Sequence, residues 1–479
     1  MNNEARALNA ALRRSLTSFT RKAFQAVVPG QAYIHGLYVE ALCWHLQQVA
    51  EGKITRLLVT LPPRYLKSIA ASVALPAWIL GHDPSVRIIC ASYSAELAGK
   101  HALDCRAVMS SPWYQSVFPR TRLSAEKNTT LDFMTTRRGS RYSTSVGGTL
   151  TGRGGDLMII DDPLKADDAF SETKRSGVNE WFHGTLYSRL DDKRTGAIII
   201  VMQRLHVEDL AGHVLERGGW THLNLPAIAE EDQLIKIGPR INWQRKRGGL
   251  LHPKRESKEE LERTKAALGS FNFSAHYQQN PIPADGEIIR WSWFNTYDFE
   301  QVRRVRNDRV VQSWDTASKT GATNDYSVCT TWLVQGNLYF LVDVLRERLV
   351  YPDLKRKIVK EARRHHAEVV LIEDAGSGTG LLQDLHREGP ADVPKPIPIR
   401  PERDKVTRMQ VQSAKIEAGH VYLLRRAEWL DDFRAEVLQF PHGRYDDQVD
   451  SVSQFLGWIQ ARQVPELHCI VTPIYSVHR

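Results

Sequence analysis

A lysine followed by a hydroxyl side chain, set in a tight turn after a buried strand, is chemistry for gripping a polyphosphate. The segment Leu57-Leu58-Val59-Thr60-Leu61-Pro62-Pro63-Arg64-Tyr65-Leu66-Lys67-Ser68 has that shape. In the common form, G-x-x-x-x-G-K-[ST], backbone N–H groups cradle the phosphates, the lysine reaches the β- and γ-phosphates and the hydroxyl holds Mg²⁺. Here Leu61 and Leu66 occupy the two glycine positions. A surface Lys-Ser pair after a strand would read the same way, so the assignment turns on a second motif at a suitable distance.

That motif begins about ninety residues after Lys67, where Leu157-Met158-Ile159-Ile160 runs into Asp161-Asp162. Burial fixes such a strand, and Asp161 leaves its carboxyl end where the Mg²⁺ of a bound ATP must sit. Asp162 falls where a base or water-positioning carboxylate is expected. Between the two motifs, Gly147-Gly148-Thr149-Leu150-Thr151-Gly152-Arg153-Gly154-Gly155 presents a single guanidinium on a flexible loop. Arg153 could stabilise charge on a transferring phosphoryl group, an effect of about 10³ to 10⁵ in rate. Arg64, inside the phosphate loop, is the other residue suited to that role, and Gln203, at the end of the apolar run Ile198 to Met202, has an amide that could sense the γ-phosphate.

A second kind of chemistry lies in the carboxyl-terminal half. Acids end or begin three separated segments: Trp314-Asp315, Val369-Val370-Leu371-Ile372-Glu373-Asp374 and Asp446-Asp447-Gln448-Val449-Asp450. Ions about 3.5 to 4 Å apart, held by carboxylates converging from different elements, activate water and stabilise the leaving oxygen of a phosphodiester. Asp315, Glu373, Asp447 and Asp450 fit that requirement, Asp447 and Asp450 sharing a helix face at i, i+3, with Asp325 available nearby. Oxygen ligands without His or Cys point to Mg²⁺ or Mn²⁺ rather than zinc.

The elements that position these residues follow from apolar periodicity. Strands at 56–61, 87–92, 157–160 and 197–202 alternate with helical stretches, the signature of βαβ units and a parallel sheet covered on both faces. A new α/β pattern starts at Arg309-Val310-Val311-Gln312-Ser313-Trp314. Runs at 326–333 and 338–344, a helix near 352–366 and a strand at 368–372 then predict a mixed sheet. The resulting division is a basic helical arm at 1–30, a P-loop ATPase domain at 31–225, a connecting subdomain at 226–286 that includes a helix at 256–268, a second α/β domain at 287–460 and a tail at 461–479. Proline-rich 390–401 reads as a rigid loop.

Composition bounds the class: 479 residues imply two or three domains, and 42% hydrophobic with 25% charged residues describes a globular protein. The balance of 64 Lys+Arg against 55 Asp+Glu suits a polyanionic partner. Five scattered cysteines without metal-ligand spacing argue for a reducing compartment. No apolar run approaches a membrane span, and the amino terminus lacks a signal-peptide core, so a cytoplasmic location is expected.

Seven ordered segments together resemble the large terminase subunit of tailed bacteriophages and prophages, over nearly the whole length. They are Pro62 to Ser68, Gly152 through Pro163, Val201 to His206, Ala275-His276-Tyr277-Gln278-Gln279-Asn280-Pro281, Trp314 to Ala317, Glu373 to Gly378, and Asp446 to Asp450. The resemblance implies an α/β chain: an ASCE-type P-loop ATPase domain with a parallel-core sheet, followed by an RNase H-like nuclease domain. It implies that Lys67 and Ser68 bind phosphate and Mg²⁺, that Asp161 completes that metal site, and that Asp162 takes the catalytic acid's place, where the family usually has the longer Glu. Arg153 resembles an arginine that some members supply to a neighbouring subunit of a ring. Asp315, Glu373 and Asp450 resemble the nuclease acids, with Asp447 as a fourth ligand and Asp446 beside it, and adenine is expected around Tyr33 to Tyr38.

By the same resemblance, ATP hydrolysis pumps double-stranded DNA into proheads and the nuclease cuts concatemers with two Mg²⁺ or Mn²⁺ ions. The implied partners are DNA, a portal protein, a small terminase subunit and further copies of the chain in a ring, with no membrane. The implied location is the cytoplasm of the bacterial host, transiently on the prohead and not in the mature virion. Rival readings are a helicase-like ATP-driven translocase-nuclease of repair or restriction, and a docking protein with vestigial motor residues.

Overall fold

Two large sheets form, one in each of the units into which the chain divides, Met1–Pro283 and Ala284–Arg479. The computed structural model describes residues 3–282, 288–302, 304–305, 307–316, 326–401, 403–443 and 445–463. No helix among them is long and apolar enough to cross a membrane.

The first unit's sheet contains β1 (Arg56–Thr60), β2 (Arg87–Ser92), β3 (Leu123–Asn128), β4 (Asp132–Thr135), β5 (Ser140–Ser145), β6 (Leu157–Asp161), β7 (Ala197–Met202) and β8 (Thr221–Asn224). Their spatial order is β3-β4-β5-β2-β6-β7-β1-β8, parallel from β5 to β8, with β3 and β4 added antiparallel. Every residue of β6 and β7 is buried, as expected of parallel strands covered on both faces. The additional strand β7 stands between β1, which leads into the phosphate loop, and β6, which ends in Asp161. Pairing of Thr60 with Met202 and of Asp161 with Val201 ends the three strands level, so Leu61, Asp162 and Gln203 leave the sheet along one edge.

Around this sheet lie α1 (Asn3–Arg14), α2 (Leu16–Val27), α3 (Leu37–Ala50), α4 (Leu75–His82), α5 (Ala95–Ser110), α6 (Pro112–Val117), α7 (Glu172–Trp181), α8 (Leu210–Arg217) and α9 (Lys258–His276). Residues 3–14 and 16–27 are helical and do not stand apart from the core of the unit. Leu12, Leu16, Phe19 and Ala23 are buried in the same core as Leu57 and Val59, so the apolar face of these helices packs against the protein. The stretch 226–286 does not stand apart either, as far as it is described. A hairpin of β9 (Gln233–Lys236) and β10 (Asn242–Arg245) sends Ile235 into that core, and Leu251 follows it. Ser257 and Glu260 start α9 with a capping box, and Gly269, at φ 75°, kinks it.

The second unit's sheet has β11 (Asn295–Tyr297), β12 (Arg309–Asp315), β13 (Ser327–Gln335), β14 (Leu338–Glu347), β15 (Val369–Glu373), β16 (Ile397–Ile399) and β17 (Val421–Leu424), in spatial order β11-β17-β14-β13-β12-β15-β16. The chain meanders antiparallel through β12, β13 and β14 before β15 adds parallel to β12, giving the mixed sheet. The proline-rich stretch holds β16 rather than loop alone, as a short parallel edge strand on β15, where a proline can sit. The unit's helices are α10 (Tyr351–Arg364), α11 (Ser377–Glu388), α12 (Lys405–Glu417), α13 (Leu430–Gln439) and α14 (Asp447–Gln463). Asp325 and residues 464–479 of the tail, with Cys469, lie outside the described residues. The other four cysteines are buried and unpaired.

Candidate functional site

In the first unit the phosphate loop makes its turn without glycine. Arg64 at φ 68° and Leu66 at φ 59° take the left-handed conformation that glycine adopts freely and other residues adopt at a cost of roughly 1–2 kcal/mol. The loop then runs into a π-helical turn, Ile69–Ala74, ahead of α4. Lys67 is only 6% exposed, and its Nζ lies 2.9 Å from Asp162 Oδ1. Ser68 Oγ donates to Asp161 Oδ1 at 3.1 Å, and Ser72, one turn later, donates to the other oxygen at 2.7 Å.

Asp161 is fully buried, and burial holds its carboxyl above the usual range although Ser72 and Lys67 pull the other way. Asp162 is raised for the same reason, against the pull of Lys67. Its φ of 45° turns the chain directly after β6, and Gln203 N–H donates to its Oδ1 at 3.3 Å. Gln203 Oε1 is buried with no hydrogen-bond partner among the described residues, and Gln203 borders the cleft. His101 of α5, which the sequence reading missed, puts Nδ1 3.5 Å from Asp161 Oδ2, and burial lowers its imidazole to about 4, so it is neutral at pH 7.

These groups open on a cleft of about 760 Å³ that Arg64, Lys67, Ser68, Asp162 and Gln203 line together with Tyr33, Ile34 and Tyr38. The segment expected to meet adenine therefore borders the same space as the phosphate loop. Arg153 does not: its guanidinium donates to Asp132 at 2.7 Å and lies 3.8 Å above the Tyr142 ring, so it reaches no cleft residue of its own chain. The two remaining motifs of this unit are joined, since Arg204 N–H donates to the Gln279 side chain at 2.9 Å.

In the second unit, Trp314 pairs with Ile372, so Asp315 and Glu373 leave adjacent parallel strands side by side. α14 is pinned over β12 by reciprocal bonds between Ser451 and Ser313 and by Gln454 to Ser313 and Trp314, which fixes Asp450 above the same strand end. Burial lifts the Asp315 carboxyl well above the usual range, with Asp450, Glu373 and Asp447 adding repulsion. Burial also raises Asp447 and Asp450 to about 6.

Two cations that the sequence reading missed hold the acids. Arg408 of α12 bonds Glu373 at 3.0 Å and Asp450 at 2.9 Å, and Lys405, one turn earlier, reaches Asp446 at 2.7 Å and Asp450 at 2.5 Å. Asp446 thus serves Lys405. Crowded oxygen ligands that repel one another suit a hard divalent cation such as Mg²⁺. Among the described residues, the one set of His, Cys, Asp and Glu ligand atoms all within 4.8 Å of one another is Asp343, Glu361 and His365, and Arg364 already neutralises both acids there. The strand-end acids do not form such a set, and Arg408 bridges two of them, Glu373 and Asp450.

Residues 312–457 match the family model of the terminase RNaseH-like domain. No curated protein matches. Among solved structures, the large terminase of a thermophilic bacteriophage matches with a TM-score of 0.53 at 11% identity, covering 89% of this chain and all of that one. The same protein in complex with ADP matches at 0.50, also 11% identical, covering 87% of this chain and 98% of that one. These findings bear out the fold that the resemblance implies: a unit with a parallel-core sheet like that of the large terminase structures, followed by an RNase H-like unit.

Proposed function

We propose that the chain is the motor and nuclease subunit of a viral DNA-packaging machine. It hydrolyses ATP in the cleft around Lys67 to drive double-stranded DNA through a portal into a prohead, and cuts concatemeric DNA at the Asp315 cluster. The observation that carries the proposal is that two sites of different chemistry stand on one chain. One is a phosphate loop whose Lys67 and Ser68 meet Asp162 and Asp161. The other is a group of carboxylates at the ends of β12 and β15 and the start of α14.

In the first site Lys67 exchanges Asp162 for the β- and γ-phosphates, freeing that carboxylate to orient the attacking water. Ser68 and Asp161 would hold the Mg²⁺ of the nucleotide, which would supply charge neutralisation at the phosphates. Gln203, whose backbone N–H donates to Asp162 Oδ1, reports the γ-phosphate. Arg64 acts within its own chain. Arg153, held on Asp132 away from its own cleft, serves a neighbouring copy in a ring. In the second site Asp315, Glu373, Asp447 and Asp450 would hold two Mg²⁺ or Mn²⁺ ions, which would supply an activated water and stabilise the leaving oxygen. Lys405 and Arg408 orient Asp450 and Glu373.

The further partners are a portal protein and a small terminase subunit, met in the cytoplasm of a bacterial host and transiently on the prohead. ATP-dependent protection of DNA inside purified proheads tests the proposal. Wild-type protein should package and Lys67→Ala should not. A helicase-like translocase-nuclease would hydrolyse ATP yet protect no DNA.

A further inference from the structure

The charges lining the nucleotide cleft do not balance. Lys67 is paired with Asp162 at 2.9 Å, and Lys100 with Asp104 at 3.3 Å. Arg64 and Arg255 border the same space, and among the described residues neither guanidinium has a hydrogen bond or a carboxylate partner. A triphosphate brings several negative charges, so two unpaired guanidiniums beside a lysine are what it would need. Arg64 belongs to the phosphate loop itself. Arg255 comes from the stretch after β10, about 190 residues away in sequence, and no motif points to it.

That stretch is built against the loop. Tyr65 Oη donates to Glu256 Oε2 at 2.5 Å, and the Tyr38 ring packs between Tyr65 and His252, with centroids 5.2 and 5.4 Å away. His252 Nε2 lies 3.0 Å from the carbonyl of His35, and burial lowers its pKa, so it adds no charge to the cleft at pH 7. The N–H groups of Arg255 and Glu256 both donate to the His252 carbonyl, which makes the turn tight, and Leu251 anchors it in the core at 3% exposure. The Arg255 guanidinium lies 5.5 Å from the centroid of the Tyr65 ring. Tyr65 is thus held on one side by Glu256 and stacked on another by Arg255, one residue before Leu66 and two before Lys67.

We propose that Arg255 is a further phosphate-binding residue of this cleft, supplied by the same chain that supplies Lys67. The assignment rests on the ATP reading of the site. It makes the 251–256 turn a second wall of the phosphate site, opposite in sequence but tied to the loop by Tyr65–Glu256. Because the guanidinium has no carboxylate to leave, it is available to the phosphates at no cost in broken ion pairs, unlike Lys67.

The test is binding of a fluorescent ATP analogue, and steady-state ATP hydrolysis, by the full chain carrying Arg255→Met, which keeps the stem beside Tyr65 and removes the charge. Loss of a charge-assisted bond should weaken binding by about 10- to 100-fold. KM should rise more than kcat falls, and Arg255→Lys should recover part of the loss. Mixed with Lys67→Ala subunits, Arg255→Met subunits should keep their raised KM, since neither chain has a complete site. Wild-type affinity in a folded Arg255→Met protein would overturn the assignment. Recovery of the wild-type KM in the mixture would overturn supply by the same chain. Undiminished ATP-analogue binding by Lys67→Ala would instead strike the ATP reading beneath it, whatever Arg255 does.

Discussion

The left-handed residues of the phosphate loop predict an inverted order of substitutions. Inside a regular element, glycine is worse than alanine by roughly 0.5–1 kcal/mol, because the unfolded chain gains freedom. At Arg64 (φ 68°) and Leu66 (φ 59°) a side chain costs roughly 1–2 kcal/mol for its clash with the backbone, and only glycine removes that cost. The difference leaves glycine ahead of alanine by about 0.5–1 kcal/mol at each position. Arg64 is exposed and has no packing to lose, so Arg64→Gly should exceed Arg64→Ala in stability by that amount, and exceed the wild type as well. Leu66 is half-buried against the core, and truncation forfeits about 1 kcal/mol of a buried leucine's worth. Leu66→Ala should therefore lose about 1 kcal/mol, while Leu66→Gly stays close to wild type. Urea unfolding midpoints of the four variants, measured side by side on the full chain, resolve differences of that size. Alanine at or above glycine at both positions would refute the reasoning, because it would mean the loop relaxes out of the left-handed region at no cost.

Asp315→Asn should abolish Mg²⁺- or Mn²⁺-dependent plasmid cleavage and leave ATP hydrolysis within about twofold of wild type; nicking at the normal rate would remove Asp315 from the metal site. Asp450 carries a pH signature in EDTA. Its pKa is raised from 3.8 to about 6 in the folded chain, so between those values the native state binds a proton that the unfolded state has released, and stability falls as pH rises, then levels off. The loss is at most about 3 kcal/mol. Thermal melts of Asp450→Asn should lack that part of the slope, and parallel curves for the two proteins would rule it out. Arg153→Ala should lower ATP hydrolysis only where copies assemble, and mixing it with Lys67→Ala subunits should restore activity; a mixture as inactive as its parts would place its role elsewhere.

Strands whose sequences are apolar throughout were legible because a parallel strand buried on both faces has no polar alternation to blur it, as in Leu157 to Ile160 and Ala197 to Met202. Ser140 to Ser145 carries no such signal, yet it forms β5 in the same parallel core. Its Arg141 is completely buried, donating to Ser143 and to the carbonyl of Ser72, so hydrogen bonds replace the hydrophobic pattern that a reader of sequence looks for. Residues 1–30 misled for a related reason. Arg6, Arg13, Arg14 and Arg21 are exposed on helices whose other face is Leu12, Leu16 and Phe19, and periodicity alone does not say how much of the core that face will cover.

The acids of both sites were legible because each ends a buried strand or starts a helix, and the pattern of the element dictates where the next residue must go. The groups that meet those acids or border the cleft from elsewhere in the chain obey no such rule. Lys405 and Arg408 sit on one face of α12, His101 on α5 and Arg255 in a turn, and each meets its acid or its cleft only after distant elements pack. The consequence reaches the chemistry. A carboxylate already bonded to a cation inside the protein must share it with, or give it up to, the ligand that arrives, so Lys67 at Asp162 and Lys405 at Asp450 set how tightly phosphate and metal can bind. Sequence motifs locate the groups that react, while the affinity of those groups is set by partners that only the fold selects.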